Sequence, residues 1–490
     1  MTRDWRDDRI AELEVELRAK DVLIAGQAAR IAVLEQQVAA LMKQVAELTE
    51  KLDRNSGNSN SPPSSDSPDQ RRKRNERKKS SGRKRGGQKG HGGAHRKLLP
   101  PEQVDEVVDL YPPECENCWK PLPKVADLSP KRYQQTEIPP IKPHTKETRR
   151  HTVACPDCGH ETCAHYDEDV IPASPFGPRL MAIMALCTGI YHLSRRRAVG
   201  LLFDVLGVRV SLGALSAVEE RVSDAVKPAV DAAWEKVREA EVKHTDGTSW
   251  YQAGLTMALW TIATRAATVF KIVTDSRKAT LQPLYGALRG ILVSDRAKAL
   301  NFWVMKCRQI CWAHLLRKFI SFSERDGPAA AFGKQLLDYT GIIFDYWHDF
   351  KAGKLSRETF AAWMAPVRQQ VETLLAQAAA AGIAGLSGSC ADILEHKAAL
   401  WTFVDRDGVE PTNNHGEQEL RAFVLWRKRS FGTQSARGNV FAENLMTVAC
   451  TARKQKKNVL AFLIECIEAK DDERAKPSLF NAEVDVAAAA

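Results

Sequence analysis

Nothing in the 490-residue sequence approaches the roughly 18 consecutive apolar residues that a membrane-crossing helix requires. The first ten residues, MTRDWRDDRI, are too charged for a secretory leader. Both absences lead us to expect a cytosolic chain. Thiols stay reduced there, so the eleven cysteines are expected as ligands or core residues and not as disulfides. No convincing Ser-His-Asp arrangement is present, which argues against chemistry through a protein nucleophile. Charge is scarce in a different sense: the net +10 is almost entirely local. Arg71 to Arg85, RRKRNERKKSSGRKR, holds ten basic residues against one acid, leaving the rest of the chain near balance. That tract is therefore a distinct device suited to a polyanion.

What is present begins with a heptad repeat over residues 10–52. Its a positions run Ile10, Leu17, Ile24, Ile31, Val38, Val45 and Leu52, and eleven of the thirteen a and d positions are apolar; Lys20 and Gln27 interrupt the first half. Mostly β-branched a with leucine d favours a parallel two-stranded coiled coil, hence self-association. Asp53–Asp69, DRNSGNSNSPPSSDSPD, reads as a low-complexity linker unable to bury enough apolar surface to fold alone. The basic tract follows, then GGQKGHGGAHRK, where glycines permit close approach to a phosphate chain. Arg71, Arg72, Lys73, Arg74, Lys78, Lys79, Arg83, Lys84, Arg85 and Lys89 are the candidate phosphate contacts. Cys115-Glu-Asn-Cys118 and Cys155-Pro-Asp-Cys158 are two CxxC knuckles separated by 36 residues, a spacing suited to one tetrahedral structural zinc. Cys163, His160 and His165 lie close enough to substitute. Residues 177–226 read as helices broken at Gly207 and capped at Ser211, either a helix-turn-helix or a plain packing domain.

The chemistry is expected around EVKHTDGTSW, residues 241–250. A short strand there delivers Asp246 to a turn begun by Gly247. Two further strands, Tyr251–Thr264 and Ala267–Val273, a helix over Ala279–Arg289 and a buried strand ending in Asp295 come next. In PTNNHGEQELR, Asn413 or Asn414 can cap a helix whose early turns carry Glu417 and Arg421 on one face. Two strand-tip aspartates and a helix-borne glutamate suit two divalent cations acting on a phosphodiester. The element order fits an RNase H-like fold. Arg421, Arg427, Lys428 and Arg429 are placed to hold phosphates, or else form a solvated helix face.

The heptads, NSGNSNSPPSSD, GRKRGGQKGHGG, both knuckles, CWAHLLRKF at 311–319, PTNNHGEQELR and RKRSFGTQSARG at 427–438 together resemble the IS66 family of transposases, from about residue 10 to 470. The resemblance implies a bacterial, nucleoid-associated DNA transposase of DDE type that uses Mg²⁺ or Mn²⁺ at Asp246, Asp295 and Glu417, alongside structural zinc at Cys115, Cys118, Cys155 and Cys158. It further implies transposon-end and target DNA as partners, with accessory small proteins of the same element. His314, in a CxxH with Cys311 expected on a fifth strand, is read as a packed core residue or a group orienting the DNA. The family often carries an acid directly after its first aspartate and an Arg after its glutamate; here Gly247 and Gln418 stand there. The expected architecture is multidomain α+β: a coiled coil (1–53), a disordered linker and basic tract (54–100), a zinc-binding β module (101–172) and a helical, HTH-like region (173–235). An RNase H-like α/β catalytic domain (236–450) follows, with a helical insertion at about 320–400, and then a C-terminal helix and tail (451–490). A non-catalytic DNA-binding protein descended from such an enzyme is the competing reading. A nuclease without strand transfer is a third.

Overall fold

The computed structural model describes residues 5–59, 66–77, 97–165 and 174–480. In chain order its helices and strands are α1 (Trp5–Asp53), α2 (Pro68–Arg77), β1 (Thr152–Ala154), β2 (Glu161–Cys163), α3 (Pro178–Ala185), α4 (Arg195–Leu206), α5 (Leu212–Ala225) and α6 (Lys227–Glu239). Then come β3 (Val242–Gln252), β4 (Leu255–Ala263), β5 (Thr268–Val273), α7 (Lys278–Tyr285), β6 (Ile291–Ser294), β7 (Arg308–Ile310) and α8 (Trp312–Ser323). The last seven are α9 (Pro328–Lys351), α10 (Arg357–Ala380), α11 (Ser387–Glu395), α12 (Thr402–Asp405), α13 (Asn414–Ser430), α14 (Ala436–Lys454) and α15 (Val459–Asp471). No described helix is long and apolar enough to cross a membrane. The chain divides into two compact units, Met1–Lys78 with Leu292–Asn413, and Lys79–Ile291 with Asn414–Ala490.

The second unit is built on an antiparallel meander, β3 to β4 to β5, with Asp246 paired to Thr261 and Trp260 to Lys271. β5 would be an open edge, and α14 closes it. Glu443, Thr447 and Thr451, spaced four apart on one helix face, accept from the N–H groups of Ile272 (2.7 Å), Phe270 (3.3 Å) and Thr268 (3.1 Å). The match is geometric: four helical residues rise about 6 Å, close to two residues of strand at about 6.6 Å. Burial raises the Glu443 carboxyl above its ordinary value even though Lys271 lies 2.7 Å away. The core between sheet and helices is aromatic. Trp250 is wholly buried, meets Phe423 edge-on at 5.4 Å, and donates its indole N–H to Asn439 Oδ1 at 3.1 Å.

The helices of 177–226 form with the expected signals. Ser211 Oγ accepts from Ala214 N, and Gly207 ends α4 at φ 68°. α5 buries Leu215, Val218 and Val222 while packing on α3, α14 and α15, so its apolar face is spent inside this unit. α4 is the more open helix, with Phe203 and Val205 exposed.

In the first unit β6 pairs parallel with β7, Leu292 opposite Arg308 and Ser294 opposite Ile310. The stretch after β7 is helical, running as α8 to α11. Its core joins Phe350, Phe360 and Phe403 around Trp347, and Trp312 packs on Trp401 at 5.0 Å. α1 runs 49 residues, and its described apolar residues from Ile10 to Leu52 are all exposed.

Three expectations need correction. Asp246 is not at a strand tip, because β3 continues unbroken to Gln252 and the turn falls at Ala253-Gly254. Cys311 and His314 are not on a strand: β7 ends at Ile310, Cys311 caps α8, and His314 lies in its first turn. The serine-rich linker is also not structureless where it is described. Ser56 donates through its N–H (2.7 Å) and Oγ (2.5 Å) to the two Asp66 carboxylate oxygens, and Asn58 reaches Glu324 at 2.8 Å. These are polar, long-range bonds, so a rule based on apolar burial does not anticipate them. The basic tract opens in α2; Lys78, Lys79, Arg83, Lys84, Arg85 and Lys89 lie outside the described residues.

Candidate active site

Asp246 sits at the middle of β3, half-buried, with its own Oδ1 accepting the Gly247 N–H at 2.9 Å. Alternation along the strand turns Thr245 to the other face, where its hydroxyl meets Tyr285 Oη at 2.5 Å. The residue after Asp246 must be small. A Cβ on Gly247 would come within 2.8 Å of the Trp260 ring directly opposite it.

Glu417 lies in the first turn of α13, and that helix runs along β3. At one end His415 lies against His244, ring centroids 5.2 Å apart; at the other Arg427 donates to Thr248 Oγ1 at 3.0 Å and to Ser249. Asp246 falls between the strand contacts and Glu417 between the helix contacts. The two acids thus occupy facing stretches of paired elements. A lysine that sequence reading missed locks the start of the helix. Lys454 Nζ donates to Thr264 O (2.6 Å) and Glu419 Oε1 (3.1 Å) and lies 3.0 Å from His415 Nε2, which itself lies 3.1 Å from the same Thr264 carbonyl. Burial lowers its pKa, while Glu419 opposes the shift. No local signal could have found Lys454, which stands 39 residues beyond its histidine partner.

Asp295 follows β6 directly and belongs to the other unit. Its Oδ1 accepts from Ala297 N at 3.0 Å. Burial raises its carboxyl above the usual range, against the opposing pull of the Ala297 N–H and the Arg308, Arg296 and Arg317 charges. A carboxylate in that state is stabilised by added positive charge. Cys311 Sγ and a ring nitrogen of His314 lie within 4.8 Å of each other. Cys311 Sγ accepts from Asn413 N at 3.2 Å, and burial, then Arg317, pushes the His314 pKa down to about 3. A ring neutral at physiological pH can hydrogen-bond but cannot supply positive charge.

Arg421 and Lys428 are exposed on α13, whereas Arg427 is spent on the strand. Arg71 and Arg72 are exposed on α2, which also carries Lys73 and Arg74.

The two knuckles are copies of one turn. Cys115 N bonds Lys120 O and Trp119 N bonds Cys115 O; Cys155 N bonds His160 O and Gly159 N bonds Cys155 O. Trp119 and Gly159 both take positive φ, 57° and 73°. The N–H groups of Asn117 and then Cys118 hold the Cys115 thiol below its ordinary pKa, and those of Asp157 and Cys158 do the same at Cys155. Among the described residues, the groups of three or more metal-ligating side chains within 4.8 Å of one another do not include these four cysteines.

A family of unknown function, DUF6444, matches residues 4–97. No curated protein matches the chain. The family described as Transposase IS66 family matches residues 173–440, more than half of the 490, and spans Asp246, Asp295, Glu417 and the helices between them. The chain belongs to the IS66 family of transposases.

Proposed function

We propose that this chain cuts DNA at transposon ends and joins the freed 3′-hydroxyl to target DNA, with Asp246, Asp295 and Glu417 as the catalytic carboxylates of an RNase H-like domain. The observation that carries the reading is the alignment of α13 on β3, which sets Glu417 and Asp246 on facing stretches. The order three antiparallel strands, helix, parallel strand pair supports the fold assignment. An all-carboxylate donor set suits hard cations such as Mg²⁺ or Mn²⁺. When bound, such a pair would activate the attacking oxygen and stabilise the leaving one. The protein's own part is to hold the acids rigidly: Asp246 by mid-strand pairing, Glu417 by the Lys454 lock. Arg421 and Lys428, exposed on α13, would contact DNA phosphates and contribute affinity without base reading.

Cys115, Cys118, Cys155 and Cys158 would hold a structural zinc that draws the two knuckles together. The thiol-lowering N–H groups favour thiolate ligands there. The exposed apolar seam of α1 suits a second copy of the same helix, giving at least a dimer.

The test is strand transfer on end-containing DNA with Mg²⁺, Asp246→Ala beside wild type. We expect the variant to bind DNA and to yield no joined product. Equal joining by both proteins removes the mechanism, and nicks without joined products from wild type would mean a nuclease instead.

A further inference from the structure

From Asp295 to Asn301 the chain has no regular element beyond one 3₁₀ turn at Lys298–Leu300, yet side chains of the same unit grip it along its length. Arg308, wholly buried on β7, spans the segment from beneath. Its Nε donates to Ser294 Oγ (3.1 Å), Nη1 to Asn301 Oδ1 (2.9 Å), and Nη2 to the carbonyls of Asp295 (2.9 Å) and Ala297 (3.2 Å). A planar fork with five donors can meet acceptors so spread; a lysine ammonium cannot.

The grip continues outward. Asn301 Nδ2 lies 2.9 Å from His396 Nε2, and His396 Nδ1 lies 2.6 Å from the Asp392 carbonyl. An amide NH₂ only donates and a carbonyl only accepts, so the ring carries its proton on Nδ1. At the other end of the segment Arg296, the residue after Asp295, donates to the Asp392 carboxylate. Both ends are therefore tied to the end of α11. Asp392, Glu395 and His396 have atoms within 4.8 Å of one another, as a metal site would. Both His396 nitrogens are already engaged and Asp392 is paired with Arg296, so the cluster is built as a brace.

We propose that the helical insertion holds Asp295 in its working position through this brace, and that Arg308, Asn301 and His396 are positioning residues for the reaction. The proposal rests on the reading of Asp295 as a catalytic acid. Without the brace, seven residues beginning with that acid would regain backbone freedom, and the carboxylate would meet its cation only part of the time.

The experiment uses the full chain with Asn301→Ala, Arg308→Lys and Asp295→Ala. End cleavage is followed against Mg²⁺ concentration, together with end-DNA affinity and amide exchange over 295–301. Partners behind a metal ligand typically change affinity or activity about 10–100-fold. We therefore expect Asn301→Ala and Arg308→Lys to slow cleavage by about that factor and to raise the Mg²⁺ needed for half-maximal rate. DNA affinity should hold, and exchange should accelerate at 295–301 but not in β3–β5. If both variants keep the wild-type rate and Mg²⁺ dependence while Asp295→Ala is inactive, the acid stands and the brace falls. A general loss of protection with unchanged Mg²⁺ dependence also overturns it. Full activity in Asp295→Ala removes the acid and this proposal with it. Should Arg308→Lys not fold, Asn301→Ala, which leaves the buried cation in place, decides the matter.

Discussion

Two stretches of the same unit each contain a hairpin and hold it by opposite means. In β3–β5 the side chains are buried: Trp250, Leu259, Ile262, Val269 and Phe270 are all 1% exposed or less, and α14 caps the outer N–H groups. Across residues 97–165 no side chain is buried at all, and the β1–β2 hairpin pairs only three residues a side, with Val153 65% exposed. Apolar burial is worth about 25 cal/mol per Å². The first stretch collects that stabilisation and the second has almost nothing from which to collect it. A segment of that length without a core needs cross-links or a metal to hold a fold. The two knuckles are the features on which such a link could act.

The largest expected effect breaks the second stretch and spares the first. Structural zinc in a small domain contributes about 10–16 kcal/mol. Chelation, or Cys118→Ser, is therefore expected to expose 97–165 to proteolysis while amide protection in β3–β5 persists. Limited digestion with fragment mass analysis reads both at once. Unchanged cleavage in that segment after chelation, with no metal in the purified protein, would remove the zinc assignment.

The opposite sensitivity belongs to the packed sheet, where one methyl should matter. Gly247→Ala places a Cβ 2.8 Å from Trp260, whose ring is fixed by its N–H on Ser276 Oγ (3.3 Å) and by Tyr285 edge-on at 6.4 Å. Overpacking of this kind costs about 1–3 kcal/mol. Because the clash is pairwise, Trp260→Leu should recover part of the loss in the double variant, a coupling of about 0.5–3 kcal/mol. Denaturant midpoints of the four proteins give the cycle; strict additivity would mean the ring is not what excludes a side chain. In the knuckle stretch, Val153→Ala should shift nothing measurable.

This contrast also explains what could be read in advance. Strands and helices whose signals are local were legible: the apolar run to Ser294, the Ser211 cap and the Gly207 stop all lie within a few residues of the feature they specify. Gly247 reads locally as a turn residue, whereas its cause is a tryptophan on the neighbouring strand. Asp246, Asp295 and Glu417 are proposed from their own short motifs, whereas the side chains that order the structure around them are not local. Lys454, Arg308 and His396 act across 39, 13 and 95 residues of chain, and no periodicity encodes such partners. The Ser56–Asp66 pair was invisible for the same reason.

The smallest measurable effect concerns what burial does to charge. His192 takes φ 55°, stacks on Trp426 at 4.8 Å, and has a buried Nε2 without a hydrogen-bond partner. Burial, followed by the Arg429 and Arg453 charges, lowers its pKa from 6.5 to about 4. The unfolded chain therefore binds this proton at a higher pH than the folded one. Stability is intact above the unfolded value, falls as pH drops through the window down to about 4, and levels off below it. At pH 6 the loss should stay under about 1 kcal/mol after solvent screening. His192→Phe keeps a ring on Trp426 and removes the proton site, so its denaturant midpoint should change less between pH 7.5 and pH 6 than that of wild type. Parallel pH dependence in the two proteins would mean that His192 is solvated enough to titrate normally, and that the packed part of this unit is looser at its helical edge than in its sheet.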